Sequence, residues 1–521
     1  MVKKKKLNGG ENGDDYKRVD TTTSPVNADN FGLATLLSPV TVDKFHEGFF
    51  ERHALHVARP SCPGYYAPLE DLSSPQRLFK LMEDGTVPLY RINMFRCTDG
   101  KTKETPPTPT RVDEVVRLFN EGWSIQWLQP QHEHDALSTL VATLESQFGC
   151  LVGVNAYLTP AGAQGLAPHW DDVDVFVLQL GGSKAWSLHR CCTDSPLEPE
   201  QQTLPRYSSG DLAPESLSDA FMRPKLLPGD LLYFPRGIIH HAPNKDVSSP
   251  SVHLTISTFQ RQTVYDLVQK TFEEAMSELW EEDEELRKAL PWKALTLAPP
   301  NKLLSSAVAQ QLRRLADAVE AESSEDTPGA VAAALGELGA EFVRHRMPPR
   351  QKEEVEVSLV GLRSTVRLDI SAIALLPVPG DIDDAAARLI HCASNMRKNH
   401  MMNHPAGADA GHCFPGNAEE AEPEEAEEED LEGDEVLDPA DPGQVLSGPV
   451  VVALRHICSS EPKTLQELLQ EAKVPPERWQ EVCQLLTQLT ALGLASVEDP
   501  PSLPKASSKL ASASKRRRIK K

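Results

Sequence analysis

Apolar and polar positions divide the chain into blocks of different period. Residues 1–29 show no apolar rhythm and are rich in Lys, Asn, Asp and Thr, as expected of a disordered basic and polar tail. Order is expected from residue 30. Val42, Phe45 and Phe49 fall at helical spacing, Leu55-His-Val57 alternates as a strand, and Leu78–Met82 suits a short helix. Tyr90–Cys97 reads as a strand turned by Asp99-Gly100, Val112–Glu121 as a helix and Ser124–Gln129 as extended chain. His134–Phe148 is a helix closed by Gly149. Closely spaced strands follow at Gly153–Leu158, Val173–Leu180, Ala185–Leu188, Asp230–Phe234 and Val252–Thr258. Pro160-Ala-Gly162, Gly181-Gly182 and Pro228-Gly229 are the turns between them. Many short strands with Gly/Pro turns argue for a β-sandwich or barrel, the class that holds the double-stranded β-helix of cupins.

After Gln262 the period changes to that of helices. Val264–Leu290 carries Leu267, Val268, Phe272, Met276, Leu279 and Leu286 on one stripe, and helices continue over Asn301–Ala321 and Ala330–Arg346. Val355–Leu376 alternates like strands, and a helix is expected near Asp383–Met396. Three helices over Pro449–Ser459, Thr464–Ala472 and Pro476–Leu492, then a small strand at Ala495–Val497, have the arithmetic of a winged helix. The last of these helices is neutral to acidic, which argues against sequence-specific DNA reading.

Composition sharpens this picture in three places. The chain of 521 residues has room for several domains. Its net charge of −23 is concentrated: Glu419–Asp441 alone holds 14 acidic residues and no basic one. The ends are basic, with Lys3–Lys6 and the run from Lys515 to Lys521, which point to nuclear targeting. No apolar run reaches membrane-span length, and the Lys-rich start is not followed by a signal-peptide core. Nine Cys without Cys-x-x-Cys spacing read as reduced thiols. The stretch from His391-Cys392 through His400, His404 and His412-Cys413 lacks zinc-site spacing.

The chemistry centres on Ala167-Pro-His-Trp-Asp-Asp. Residues i and i+2 of extended chain share a face, so His169 and Asp171 point the same way at the mouth of a strand. They are two-thirds of a 2-His-1-carboxylate Fe(II) site. His240, beyond Tyr233-Phe-Pro-Arg-Gly, is the candidate third ligand, and its neighbour His241 would face the other way. Such a site leaves a face open for a chelating 2-oxo acid and O₂. Lys184 could supply a cation for the distal carboxylate and Tyr157 a hydroxyl. Each is also an ordinary residue of a turn or a core. His253, Thr255 and Ser257 share one face of the last strand, suggesting a polar site lining or a face that meets solvent.

Three segments, Asn155-Ala-Tyr-Leu-Thr through His169-Trp-Asp, Gly229-Asp-Leu-Leu-Tyr-Phe-Pro-Arg-Gly-Ile-Ile-His and His253-Leu-Thr-Ile-Ser-Thr, resemble the JmjC ribosomal oxygenases. The resemblance runs from about Phe31 to the terminal helices. It implies an α+β architecture: a double-stranded β-helix (cupin/JmjC) catalytic domain at 30–262, a helical dimerisation domain at 263–329 and a winged-helix domain at 330–499. An acidic insert at 417–442 and a basic tail at 500–521 complete the expected layout. The resemblance implies Fe(II) at His169, Asp171 and His240, and 2-oxoglutarate at Lys184 and Tyr157 supported by Asn155 and Ser257. Substrate contacts are implied at Asn93, Gln126, Gln129 and Tyr207. The implied reaction is 3-hydroxylation of a histidine in a large-subunit ribosomal protein by a homodimer in the nucleus and nucleolus. Trp170, His241 and the Leu-Gly-Gly-Ser turn before Lys184 depart from the family pattern. Two other functions use the same residues differently: demethylation of methyl-lysine in histone tails, and a non-catalytic nuclear scaffold.

Overall fold

The computed structural model describes residues 16–22, 24–190, 211–244, 248–290, 302–321, 329–348, 359–378, 386–401 and 443–498. The basic clusters at Lys3–Lys6 and Lys515–Lys521, the acidic insert and Tyr207 lie outside the described residues. No described helix is long and apolar enough to cross a membrane.

The chain divides into two compact units. The first holds residues 1–350, 371–377 and 388–444, and the second holds 351–370, 378–387 and 445–521. The first unit is built on a mixed sheet of eight strands. In spatial order these are β1 (Tyr16–Asp20), β2 (Ala54–Ala58), β10 (Leu231–Phe234), β6 (Asp174–Gly181), β12 (Ser251–Thr258), β5 (Val152–Thr159), β4 (Ser124–Leu128) and β3 (Ile92–Phe95). β1 runs parallel to β2, while the other pairs are antiparallel. Two further antiparallel pairs are β7 (Lys184–Ala185) with β9 (Lys225–Leu226), and β8 (Ser187–His189) with β11 (Ile239–His241). The expected strand at Ala185–Leu188 is therefore split between two partners.

Alternation along the strands builds two layers. On one face of the large sheet Val154, Ala156, Leu158, Phe176, Leu254 and Ile256 pack with Leu137, Leu140, Val141 and Leu144 of helix α5 (Asp135–Phe148). His134 caps α5 by accepting from the Leu137 N–H, and Gly149 ends it at φ 68°, a left-handed position that glycine adopts without strain. On the other face Val175, Val177, Leu232 and Phe234 pack against Trp186, Leu188, Leu226 and Ile238, which come from the two short pairs and their flanks. β5 and β6 are buried along their whole length, and β6 accordingly reads as a nearly unbroken apolar run.

α6 (Val264–Glu282) opens with a capping box between Thr263 and Asp266 and leads into α7 (Glu284–Arg287), α8 (Lys302–Ala321) and α9 (Ala330–His345). The α6 stripe is divided. Met276 and Leu279 pack on a core of Ala275, Leu315 and Ala330, whereas Val268 and Phe272 are exposed, as are Val264 and Tyr265.

Two expectations are corrected. Tyr16–Asp20, placed in the disordered tail, is an edge strand. Its register on β2 is held by backbone hydrogen bonds, which need no apolar pattern to form. The helix expected near Asp383–Met396 is instead, where described, strand β15 (Ala387–His391) beside strand β14 (Ile373–Pro377), followed by a short 3₁₀ turn at Arg397–Asn399. Burial of Leu389 and Ile390 and pairing with β14 override the helical preference of its alanines. β14 packs on α9. His400, from the Cys/His-rich stretch, is buried and bonds Glu145 of α5 at 2.8 Å.

In the second unit β13 (Thr365–Leu368) pairs antiparallel with β16 (Ala495–Glu498). Helices α10 (Gly448–Ser459), α11 (Leu465–Glu471) and α12 (Trp479–Ala491) bury Leu454, Leu468, Leu469, Leu485 and Leu486.

Candidate active site

The polar half of the inner sheet face, on β5 and β12, faces a cavity. Strand parity places the lining. Tyr157 and Thr159 of β5, and His253, Thr255 and Ser257 of β12, all reach it, and β12 therefore turns its polar face to the cavity.

The lining includes His169, Asp171 and His240, with one donor atom from each lying within 4.8 Å of the others. The two histidines face each other across a β-bridge. The His169 N–H donates to the His240 carbonyl at 3.2 Å, and the His240 N–H donates to the His169 carbonyl at 2.8 Å. Each ring is oriented by the same local device. Nδ1 of His169 donates to the Ala167 carbonyl at 2.8 Å, and Nδ1 of His240 donates to the Ile238 carbonyl at 3.0 Å. That tautomer leaves both Nε2 lone pairs for a metal. Asp171 Oδ2 lies 3.8 Å from His169 Nε2 and 3.6 Å from His240 Nε2. Donors sharing an ion at about 2.1 Å stand about 3 Å apart at right angles, so small side-chain rotations close these three onto one metal. Burial keeps both imidazoles neutral, with pKa values lowered to about 4 for His169 and about 3 for His240. His241 also lines the cavity, its ring stacked on that of His189 at 5.5 Å.

Lys184 lines the same cavity. It follows Gly182, whose φ of +61° and close approach to the Pro250 carbonyl (2.0 Å from where a Cβ would stand) leave room only for glycine. Its ammonium donates to Thr159 Oγ1 at 2.9 Å, and among the described residues no carboxylate pairs with it. Burial lowers its pKa to about 7. A buried amine with one neutral hydrogen-bond partner, sharing a cavity with a metal-ligand triad, suits an anion that reaches both.

The remaining candidates separate. Ser257 lines the cavity. Asn155 is buried, its Oδ1 accepting from the Gln129 N–H at 3.5 Å. Asn93 is half-buried and donates to Gln126 Oε1 at 3.3 Å, and Gln126 in turn donates to the Tyr157 hydroxyl at 3.0 Å. Gln129 is buried in a left-handed conformation, and its side-chain oxygen accepts from Arg91. Thr159 was missed by sequence reasoning. It shares Tyr157's face two residues on, which was the available signal.

The JmjC-domain family model matches residues 126–267. Ribosomal oxygenase 2 of Rattus norvegicus is 33% identical over 427 residues, which is 77% of this chain and 87% of that protein. The chain belongs to the ribosomal oxygenase family. Ribosomal oxygenase 2 of Bos taurus is 33% identical, covering 73% of this chain and 81% of its own length. The bifunctional lysine-specific demethylase and histidyl-hydroxylase NO66 of Dictyostelium discoideum is 37% identical over 50% of this chain and 49% of its own. The solved structure of YcfD, a ribosomal oxygenase from Escherichia coli, in complex with cobalt and 2-oxoglutarate covers 88% of this chain and 99% of that one. The identity is 14% and the TM-score 0.41. For a ribosomal oxygenase the cavity is the active site, and its buried His-Asp-His set is the 2-His-1-carboxylate arrangement of non-haem Fe(II) oxygenases.

Proposed function

We propose that this ribosomal oxygenase hydroxylates a histidine side chain, at its β-carbon, in a large-subunit ribosomal protein. The observation that carries the reading is the His169–Asp171–His240 triad sharing one cavity with the buried Lys184. His169, Asp171 and His240 would hold Fe(II). Lys184, with the Thr159 hydroxyl beside it and Tyr157 on the same lining, would hold the distal carboxylate of 2-oxoglutarate, and Ser257 and Asn155 support that binding. When bound, Fe(II) with 2-oxoglutarate and O₂ supplies the oxidant: one oxygen atom goes to the substrate carbon, the other into succinate as CO₂ leaves. The protein orients the metal's imidazoles through the Ala167 and Ile238 carbonyls, and its buried walls keep bulk water from the reacting centre. Asn93 and Gln126 offer amides to a histidine substrate, since an amide both donates to and accepts from an imidazole. Gln129 and Tyr207 are proposed as further substrate contacts.

The same reading takes the two strand layers as a double-stranded β-helix. It takes α6 to α8 as a dimerisation element, supported by Val264, Val268 and Phe272 exposed at intervals of four on α6. It takes residues 330–499 as a winged-helix domain, and the basic ends as nuclear and nucleolar targeting.

Mass spectrometry of histidine-containing ribosomal-protein peptides, incubated with the protein, Fe(II) and 2-oxoglutarate, tests the activity. The expected result is a gain of one oxygen on histidine that is lost in His169→Ala. Formaldehyde from methyl-lysine histone peptides without histidine oxidation would transfer the site to demethylation, and silence in both assays would favour a scaffold.

A further inference from the structure

Asn93 on β3, Gln126 on β4, Tyr157 on β5 and His253 on β12 stand directly opposite one another across four adjacent strands. Residues so placed on one face touch, and here they are linked in series. Asn93 donates to Gln126, Gln126 donates to the Tyr157 hydroxyl, and the Tyr157 ring stacks on the His253 ring at 5.2 Å and 8°. The row thus runs from the half-buried edge of the sheet to a residue only 2% exposed. His253 is held edge-on by Trp186, with ring centroids 5.5 Å apart at 80°.

The chemistry of that last position is unexplained by packing. A phenyl ring would make the same stack and the same edge contact. An imidazole brings two nitrogens into the interior, and Nδ1 of His253 is buried without a hydrogen-bond partner. Buried polar atoms are almost always satisfied, so an unmet one on a residue that lines a cavity points to a ligand contact. His253 lines the same cavity as Lys184, and two buried nitrogen donors with no carboxylate between them suit an acceptor-rich anion.

We infer that His253 is a cosubstrate-binding residue, donating its ring N–H to the distal carboxylate of the 2-oxo acid beside Lys184 while its ring face holds Tyr157 in place. The inference rests on the 2-oxoglutarate reading above and adds a ligand contact to it. Burial, and then the nearby Lys184, keep the imidazole neutral, and a neutral imidazole has one N–H to give. The row also gives Gln126 a second task. By holding the Tyr157 hydroxyl it joins the substrate side of the site to the cosubstrate side.

The test separates ring from donor. His253→Phe keeps the stack and removes the N–H. His253→Asn removes the ring and keeps an amide near the place of Nδ1. Binding of 2-oxoglutarate to the full-length Fe(II) protein is titrated without O₂ by its metal-to-ligand charge-transfer band, which reports affinity without turnover. The expected result is a Kd raised about 10- to 100-fold in His253→Phe, with KM for 2-oxoglutarate rising in step and kcat nearly held, and a much smaller change in His253→Asn. Wild-type affinity in His253→Phe with loss in His253→Asn would show that only stacking matters and overturn the inference. So would normal affinity in both variants when Lys184→Met binds weakly, an outcome that leaves the 2-oxoglutarate reading standing. No charge-transfer band in the wild type would remove that reading and the inference together.

Discussion

β5 and β12 form one antiparallel ladder of eight residue pairs, yet their two faces have opposite character. One face carries Val154, Ala156, Leu158, Leu254 and Ile256 into the apolar core under α5. The other carries Tyr157, Thr159, His253, Thr255 and Ser257 to the cavity. Both faces are largely buried, so exposure does not distinguish them; what they bury does. Apolar burial on the first face stabilises the fold at about 25 cal/mol per Å². The second face buries hydroxyls and imidazoles that cost stability wherever a partner is missing, as at His253 Nδ1. Stability and chemistry are thus divided by residue parity along the same two strands, and mutations on opposite faces should fail in different ways.

The largest expected effect belongs to the triad at the end of the polar face. His169→Ala or Asp171→Ala should lower hydroxylation more than about a thousandfold, because a catalytic metal supplies several kcal/mol to the transition state. The melting temperature of the metal-free protein should hold or rise. A fall of many degrees in both variants would show that these residues belong to the stabilising face after all. The apolar face should behave in reverse. Leu254→Ala removes a fully buried side chain next to two cavity residues in sequence, and should cost about 2–5 kcal/mol by denaturant titration while turnover per folded molecule is kept. Loss of turnover without loss of stability would break the division. Lys184→Met sharpens it further: with its charge-assisted bond gone, 2-oxoglutarate affinity should drop about 10- to 100-fold. Removing an amine whose charged form is penalised by burial should leave the melting temperature unchanged or higher.

Much of this was legible in the sequence for a physical reason. His169-x-Asp171 needs only extended geometry to align two ligands, and the Pro/Gly turns around the strands announce the β-block. The polar face of His253, Thr255 and Ser257 could be read from alternation, but not its choice between cavity and solvent, which depends on strands far away in sequence. Tyr16–Asp20 was illegible because an edge strand can be held by its backbone alone. Ala387–His391 was misread because pairing with a distant strand outweighs alanine's local preference. The hydrogen bond from Arg91 to Gln129 depends on a left-handed turn that no residue type at that position requires.

The smallest expected effect is a dependence on pH that belongs to the polar face alone. Burial brings Lys184 from the ordinary lysine value of 10.5 to about 7 in the folded, ligand-free protein, whereas a bound carboxylate favours the charged amine. Below pH 7 the amine carries its proton with or without 2-oxoglutarate, so affinity should be flat. Above pH 7 the free protein has lost a proton that binding must restore, and Kd should rise about tenfold per pH unit until the pKa of the complex is passed. In the ligand-free protein the same shift has a second consequence. Between pH 7 and 10.5 the unfolded chain holds more protons than the native one, so this residue's contribution to stability should increase as pH rises through that window. Anaerobic 2-oxoglutarate titrations from pH 6 to 9, run on wild type and Lys184→Met, check the first point. A slope in the wild type that vanishes in the variant assigns the proton to Lys184, while a flat wild-type curve would mean that the amine stays charged and that this end of the cavity is wetter than its burial implies.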